Sequence, residues 1–350
     1  MSRPTVIDLF AGCGGFSYAF MQKNFDVLLG VDNWDVGLKT FRYNHPKSTT
    51  LNLDLHLDSS IQHIARFLTG QTVDVIIAGP PCQGFSLTGS RDINDERNSL
   101  FQAIFKLTEV IAPKVLVIEN VPGILNLYKG ETKEKILGAA SYYGYRCDFD
   151  TLYAPDYGVP QIRKRTFFIA TRSKDDILFP IPFLKKGEYE TCGNAIDDLP
   201  GLVADPGSEE MNYSSQPNSS YQELMRKDSL MIFNHRRTEH KNHVIEVIRQ
   251  VPEGGNYKDL PIGVGLSRTF HEAWTRYHRD LPSKTIDTGH RNHFHYQYDR
   301  VPTVRENARL QSFPDVFRFL GTKTSQQTQV GNAVPPLLGQ QIAKTVRQLL

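Results

Sequence analysis

The chain has 350 residues, 39% of them hydrophobic and 22% charged, with a formal net charge of +2. That length predicts two domains with a real core, and the composition is globular, which excludes disordered and fibrous classes. The small charge neither demands nor excludes nucleic acid, while four scattered cysteines (13, 82, 147 and 192) without a C-x-x-C pair argue against a disulfide scaffold or zinc site and for a reducing compartment.

No apolar run approaches the ~18 residues of a membrane span. Met1-Ser2-Arg3-Pro4 leads straight into a strand, so no signal peptide is expected. Thr5-Val6-Ile7-Asp8-Leu9-Phe10 is that first strand. It turns through Ala11-Gly12-Cys13-Gly14-Gly15-Phe16-Ser17 into a helix reaching about residue 23. A glycine-rich turn of this kind lets a ligand approach the backbone while the helix amides point at it. The spacing of Gly12, Gly14 and Gly15 is not G-x-G-x-x-G, and no Gly-Lys-Ser/Thr follows to make a P-loop. A tight turn without a ligand is the competing reading.

Residues 25–31 form a second strand ending at Asp32, and residues 51–53 a third ending at Asp54. An acid at the tip of strand two is placed to hold ribose hydroxyls, although either acid alone serves equally to cap the next helix. Glycines and two acids at three strand tips together favour an adenosine-containing ligand. Val73-Asp74-Val75-Ile76-Ile77-Ala78 is a fourth, buried strand, followed by Gly79-Pro80-Pro81-Cys82-Gln83-Gly84-Phe85-Ser86. The prolines fix φ before the cysteine and Gly84 permits a turn after it. Taken alone, a free cysteine is most often a small buried hydrophobe, so Cys82 needs supporting residues to count as a nucleophile.

Residues 98–111 predict an amphipathic helix, and residues 114–118 a fifth strand ending at Glu119-Asn120-Val121-Pro122 on the same rim as Cys82. A helix over 131–143 precedes strands at 147–153 and 165–170, which pair antiparallel at the sheet edge. Between them, alternation puts Gln161, Arg163 and Arg165 on one face if the segment is extended; a solvated basic turn is the alternative. From about residue 173 prolines and glycines predict a loop-rich region, polar and exposed over 212–220. Between residues 220 and 300, thirteen lysines and arginines stand against ten acids, with eight of the eleven histidines, including His290, His293 and His295. That mixture suits phosphate contacts and base-edge readout. No H-x-x-x-H pair accompanies it, so no metal is expected. Residues 304–315 predict a short helix closed by proline, and Gln329-Val330-Gly331-Asn332-Ala333-Val334-Pro335-Pro336 predicts the opening of a last helix running to Leu350.

These pieces resemble, in the family's order and over nearly the whole chain, the cytosine-C5 DNA methyltransferases. Phe10-Ala11-Gly12-Cys13-Gly14-Gly15 resembles the loop for S-adenosyl-L-methionine (AdoMet), and Gly79 to Ser86 the nucleophile loop. Glu119-Asn120-Val121 resembles the ENV motif, and Gln161, Arg163 and Arg165 the Q-x-R-x-R motif. Residues 305–315 are similar to the R-E-x-A-R-L-Q-x-F-P-D block, and residues 329–336 to the closing G-N-x-V-P-P. The resemblance implies an α/β fold: a Rossmann-like, mostly parallel sheet with helices on both faces, plus a smaller irregular target-recognition domain. We expect a catalytic domain over 1–175, completed by a helix over 325–350, and a small domain over 176–324 whose recognition region covers about 176–291.

The implied chemistry needs these residue types. Cytosine C5 is a poor nucleophile, so attack at C6 must first create an enamine-like carbanion, and a soft, partly ionised thiolate does this best. The resemblance gives that role to Cys82. Glu119, as a protonated carboxyl, neutralises charge at N3 if partial burial raises its pKa. Arg165 holds cytosine O2 and favours the thiolate, Arg163 assists, Asn120 braces the Pro-Pro loop, and water is the final base.

For AdoMet, leaving as S-adenosyl-L-homocysteine, the resemblance implies the backbone of Phe10, Ala11, Gly12, Cys13, Gly14 and Gly15, with Asp32 on the ribose. Asp54 and Leu55 lie near the adenine, Pro80 and Leu100 line the site, and Asn332 and Ala333 lie near the methionine end. The residue after the ribose acid is usually apolar or aromatic, whereas here it is Asn33 followed by Trp34; either Trp34 substitutes or adenine stacking is weaker. The target base lies in a duplex, so it must be flipped into a cleft between the domains, with salt-sensitive phosphate contacts. Gln83, Ser86, Arg163, Arg165, Arg236, Arg237 and Arg268 are the expected DNA contacts.

A tRNA cytosine-C5 methyltransferase would keep the same catalytic set. A catalytically silent DNA-binding member would lose the cysteine, the acid or the glycines, all of which stand here. A hydride-transferring dinucleotide enzyme is disfavoured by the glycine spacing. The expectation is a monomeric, cytoplasmic modification enzyme of bacterial or phage type, without metal, with a restriction endonuclease as functional partner where one exists.

Overall fold

The apolar runs of the first half become a seven-stranded sheet in a computed structural model that describes residues 2–81, 99–264, 274–289 and 292–350. Its strands are β1 (Thr5–Leu9), β2 (Asp26–Asp32), β3 (Thr49–Asn52), β4 (Val75–Ala78), β5 (Val115–Asn120), β6 (Arg146–Tyr153) and β7 (Lys164–Thr171). They lie in the order β3-β2-β1-β4-β5-β7-β6. Pairing is parallel from β3 to β5, and β7 runs antiparallel to both β5 and β6, as expected. β4 and β5 are buried along their whole length, the pattern of parallel strands covered on both faces. Strand order reverses between β1 and β4, which is where open α/β sheets receive ligands at their carboxyl edge.

Helices α1 (Gly15–Gln22), α2 (Asp35–Asn44), α3 (Asp58–Phe67), α4 (Ser99–Ile111) and α5 (Glu131–Tyr142) alternate with these strands. Ile7, Leu9, Ile76 and Leu116 share one core with Ile64 of α3 and Ile104 and Leu107 of α4, each burial being worth about 1.5–3 kcal/mol.

The chain divides into two compact units. The first comprises Met1–Tyr153, Lys164–Ile181 and Leu338–Leu350, and the second Ala154–Arg163 and Pro182–Leu337. Compared with the expected boundaries, residues 154–163 pass to the second unit, and the C-terminal contribution to the first begins at Leu338 rather than 325.

The second unit carries α6 (Cys192–Ile196), the antiparallel pair β8 (Gly207–Met211) and β9 (Ile232–Arg236), α7 (Ser220–Arg226) and α8 (Asn242–Gln250). The short parallel pair β10 (Thr275–Arg276) and β11 (His293–Phe294) follows, then α9 (Val304–Leu310) and α10 (Lys323–Asn332). Finally, α11 (Pro336–Gln348) starts here and crosses into the first unit. The single closing helix expected from Gln329 is therefore two. Gln329 to Asn332 end α10, and Ala333 is extended at φ −66, ψ 150. Pro335 and Pro336 have no N–H to continue a helix and push the preceding residue out of the helical region, whereas Pro336 suits the first turn of α11. Within the first unit α11 lies on α1. A Cβ on Gly339 would stand 2.7 Å from Ala19 Cβ, Gln340 Nε2 donates to Gln22 Oε1 at 2.6 Å, and Arg347 Nη2 donates to Lys23 O at 2.6 Å.

Every residue of α9 is buried, although four of its seven are polar or charged. Thr303 and Glu306 form a reciprocal cap, and Arg300 grips Glu306 through Nη1–Oε2 at 2.8 Å and Nη2–Oε1 at 2.7 Å. Burial raises the Glu306 carboxyl, but the Arg300 guanidinium outweighs it and holds the group far below the usual carboxylate range. Arg309 meets Asp315 through Nε–Oδ1 at 2.9 Å and Nη2–Oδ2 at 2.7 Å, and also pairs with Asp198. Buried pairs like these add little over an apolar core but cost about 3–5 kcal/mol when one partner is removed.

Candidate active site

Phe10 and Gly12 leave β1 with left-handed φ of 60 and 53, and Gly14 follows at 87. That path suits glycine and strains Phe10. Two features fix it. Ala11 N donates to Val31 O at 3.0 Å, and Gly12 N donates to Asp32 Oδ2 at 2.8 Å. The other oxygen of Asp32 accepts from Trp34 N, also at 2.8 Å. Asp32 therefore spends both carboxylate oxygens on backbone amides, bracing the loop against the tip of β2. Asn33 beside it is exposed and Trp34 half-buried.

In front of Gly12 there is open space among the described residues, a Cβ meeting none of them within 4 Å. Behind the loop there is none. A Cβ on Gly14 would meet His45 Cε1 at 2.6 Å and Phe41 Cδ2 at 2.7 Å, and one on Gly37 would meet the Gly12 carbonyl carbon at 3.0 Å. These α2 residues escaped the sequence reading. Gly37, a glycine inside a helical pattern, was the available signal of close packing.

Asp54 caps the turn into α3, its Oδ1 accepting from His56 N at 3.0 Å, and Leu55 and Leu100 are buried. At the tip of β5, Glu119 and Asn120 are both buried. Glu119 Oε1 pairs with Arg165 Nε at 2.7 Å, a contact made possible by the antiparallel pairing of β5 with β7. A Cβ on Gly79 would lie 3.6 Å from Glu119 Oε2, so the acid sits against the backbone that leads towards Cys82. Asn120 Nδ2 donates to Pro80 O at 3.2 Å and its Oδ1 accepts from Val121 N at 2.9 Å. Cys82 itself, with Gln83, Ser86, Arg268 and His290, lies outside the described residues. Burial pushes the Cys13 and Cys147 thiols up to about 12 and Cys192 higher still, which leaves these three inert as nucleophiles near neutrality.

The remaining expected site residues belong to the second unit. Arg163 is only 1% exposed and is held within the second unit. Its Nη2 donates to Gly331 O at 2.9 Å and Ala333 O at 3.2 Å, and Nη1 approaches Gln161 Oε1 and Ile286 O, each at 3.4 Å. Gln161 in turn bonds Gln311, whose Nε2 donates to Ala333 O at 2.7 Å. Arg163 and Gln161 thus clamp the segment carrying Asn332, which is exposed, and Ala333, which is buried.

Of the expected DNA contacts, Arg236 is exposed, while Arg237 Nη1 donates to the carbonyls of Leu202 at 2.7 Å and Val203 at 2.6 Å. His235, His293 and His295, counted among the residues suited to base readout, are buried instead. Burial lowers His295 to about 3, and His235 bridges Thr303 Oγ1 at 2.9 Å and Pro200 O at 2.8 Å. Among the described residues no group of three or more His, Cys, Asp or Glu side chains is arranged for a metal, and no helix is long and apolar enough to cross a membrane.

Comparison with known proteins agrees with this geometry. The family model described as C-5 cytosine-specific DNA methylase matches residues 4–348. The Type II methyltransferase M1.HphI of Haemophilus parahaemolyticus is 38% identical, over 99% of this chain and 87% of its own. M.DdeI of Desulfomicrobium norvegicum is 35% identical over 97% of this chain and 88% of its own. Among solved structures, a candidate DNA modification methyltransferase encoded within an E. coli prophage superposes with a TM-score of 0.81 at 28% identity, covering 99% of both chains.

Proposed function

The chain belongs to the C-5 cytosine-specific DNA methylase family, and from that premise we propose how its own residues divide the work of methylating cytosine in DNA. The protein is a DNA cytosine-5 methyltransferase whose methyl donor is AdoMet. When bound, AdoMet supplies an electrophilic methyl group on a sulfonium. The residues present fit it: open space before Gly12, an α1 start with no side-chain cap of its own, and the exposed Asn33 beside Trp34. Asp32 accepts one amide on each oxygen and keeps lone pairs for the ribose hydroxyls, with Asn33 and Trp34 beside it for the adenine. Asp54, Leu55, Leu100 and Pro80 complete the adenosine side, and Asn332 and Ala333 the methionine end.

In our reading the Cys82 thiolate adds to C6 of a flipped-out cytosine, C5 takes the methyl, and loss of the C5 proton to water expels the thiolate. The observation that carries this reading is the Glu119–Arg165 pair at 2.7 Å, held against the start of the nucleophile loop that Asn120 braces. A guanidinium at this distance favours the charged carboxylate. The pair therefore loosens as the base enters, Arg165 turning to cytosine O2 and Glu119 taking from solvent the proton that it places at N3. Arg163 acts through its clamp on Gly331 and Ala333 within the second unit. Sequence readout falls to residues 176–291, with Gln83, Ser86, Arg236 and Arg268 as contacts and Arg237 more structural. We infer a cytoplasmic monomer that protects sites from a cognate endonuclease, the Type II relatives supporting the modification role alone.

Transfer of labelled methyl from AdoMet to duplex DNA, with tRNA in parallel, tests the scheme. The expected result is label at cytosine C5 of DNA that is lost in Cys82→Ser while AdoMet still binds. Undiminished transfer by Cys82→Ser would remove the covalent step.

A further inference from the structure

Beneath the glycine loop lies an ionisable group that the reaction scheme does not use. Asp8 sits in β1 between Gly30 of β2 and Ile77 of β4 and is 2% exposed. Its neighbours Ile7 and Leu9 face the hydrophobic core, so alternation turns Asp8 to the opposite face. There the amide and hydroxyl of Ser17 engage its carboxyl. Its Oδ2 is buried with no hydrogen-bond partner among the described residues.

Helix α1 explains why an acid is tolerated there. Gly14, its N-cap residue, offers no side-chain cap and has no room for one against Phe41 and His45. Ser17, third in α1, carries an amide that an N-cap side chain would ordinarily take. Asp8 takes it from the strand below. Ser17 Oγ also lies 3.2 Å from Gly14 O and 3.4 Å from His45 Nε2, so Asp8 and Gly14 O compete for its one proton. The ionisable groups facing Asp8 are few. Asp32 from β2 and Cys13 from the loop act on it through space, and His45, just past α2, touches Ser17. Cys13 is neutral, its thiol pushed up to about 12, and burial lowers His45 to about 4. No cation compensates Asp8 among these neighbours.

We propose that Asp8 is a positioning residue that caps α1 from beneath the cofactor loop and favours the cationic AdoMet over its neutral product. This rests on the assignment of Phe10 to Gly15 as the AdoMet loop. A cationic ligand above the loop supplies the compensating charge that Asp8 lacks. Burial raises the Asp8 carboxyl to about 7, so near neutrality part of the population holds a proton. Binding of AdoMet shifts that carboxyl towards its ionised form and releases the proton to solvent. S-adenosyl-L-homocysteine, without the sulfonium, gives no such release. After transfer the negative potential no longer favours the ligand, which assists product exchange.

The test is calorimetric titration of the full chain at pH 7 in buffers of different ionisation enthalpy, with AdoMet and with S-adenosyl-L-homocysteine, for wild type, Asp8→Asn and Gly12→Ala. Wild type is expected to release a fraction of a proton with AdoMet alone, and Asp8→Asn to release none. The preference for AdoMet over product should fall in Asp8→Asn by at least about fivefold, the lower range of ordinary coupling between sites. Equal proton release by wild type and Asp8→Asn overturns the proposal. Unaltered AdoMet affinity in Gly12→Ala overturns instead the loop assignment on which it rests. Should Asp8→Asn not fold, infrared difference spectra of the wild type decide. Loss of a protonated-carboxyl band on adding AdoMet at pH 7, but not on adding product, supports the proposal, and an unchanged band refutes it.

Discussion

Replacing either of two glycines two residues apart in the cofactor loop should separate backbone strain from packing. Gly14→Ala places a Cβ 2.6 Å from His45 Cε1 and 2.7 Å from Phe41 Cδ2. Neither ring can yield easily. They are stacked with centroids 4.2 Å apart, both are buried, and His45 Nδ1 is tied to Phe41 O at 3.0 Å. An L side chain in left-handed conformation costs about 1–2 kcal/mol, and overpacking a full core adds about 1–3 kcal/mol. The sum is about 2–5 kcal/mol, or a fall in Tm of roughly 5–15 °C for a unit of this size. Gly12→Ala incurs the backbone part at φ 53 but meets none of the described residues within 4 Å, so about 1–2 kcal/mol is expected. Its damage is functional, because the new methyl group occupies the space in front of the loop. Scanning calorimetry without ligand, followed by AdoMet titration, reads both effects. Gly14→Ala should melt well below Gly12→Ala, while Gly12→Ala loses AdoMet affinity despite its stability. Equal melting temperatures would refute the packing argument.

The two arginines of one motif should part in the same way. Arg163→Ala strands the carbonyls of Gly331 and Ala333 and should cost about 2–4 kcal/mol in urea denaturation. Arg165→Ala should lower kcat about 10²–10³-fold, as loss of a charge-stabilising donor does, with a smaller stability change; the reverse ranking would unseat both assignments. Acid sensitivity follows from buried imidazoles. Burial holds His45 at about 4 and His295 at about 3 in the fold, against 6.5, so their contribution is present above pH 6.5 and lost as pH falls through those values. Each adds a slope of about 1.4 kcal/mol per pH unit within its window. Asp8, raised to about 7 from 3.8, acts in the opposite sense between those values. Ligand-free Asp8→Asn should therefore lose stability on acidification more steeply than wild type, by up to about 1.4 kcal/mol per pH unit; parallel denaturation profiles would contradict this.

The strands and the catalytic rim were legible because buried strands are short β-branched runs and the motifs sit at their carboxyl ends. Three things were not legible, each because tertiary partners set it. Alternation gave Arg163 no partners, whereas the structure ties its guanidinium to Gly331 O and Ala333 O within the second unit. The acid at the tip of β2 suggested a ribose ligand, but not that it also braces the glycine loop through the amides of Gly12 and Trp34. The helix at α9 was expected but its burial on all sides was not, since ion pairs rather than an apolar stripe allow it. Asp8, finally, reads as one polar letter in a strand; only its place beneath Gly14 gives it a role.

The docking of α11 on α1 bears on how the protein is made. Residues 338–350 belong to the same compact unit as residues 1–153, yet the whole of the second unit is translated between them. Domains usually fold as they emerge, N-terminal first. Here the nascent sheet leaves the ribosome with the α1 surface around Ala19 still bare, and that surface stays uncovered until the last helix is released. The cofactor loop, which opens α1, would then mature only after synthesis of residues 338–350, so a nascent chain should gain AdoMet affinity late and abruptly rather than when its first β-α turn is complete.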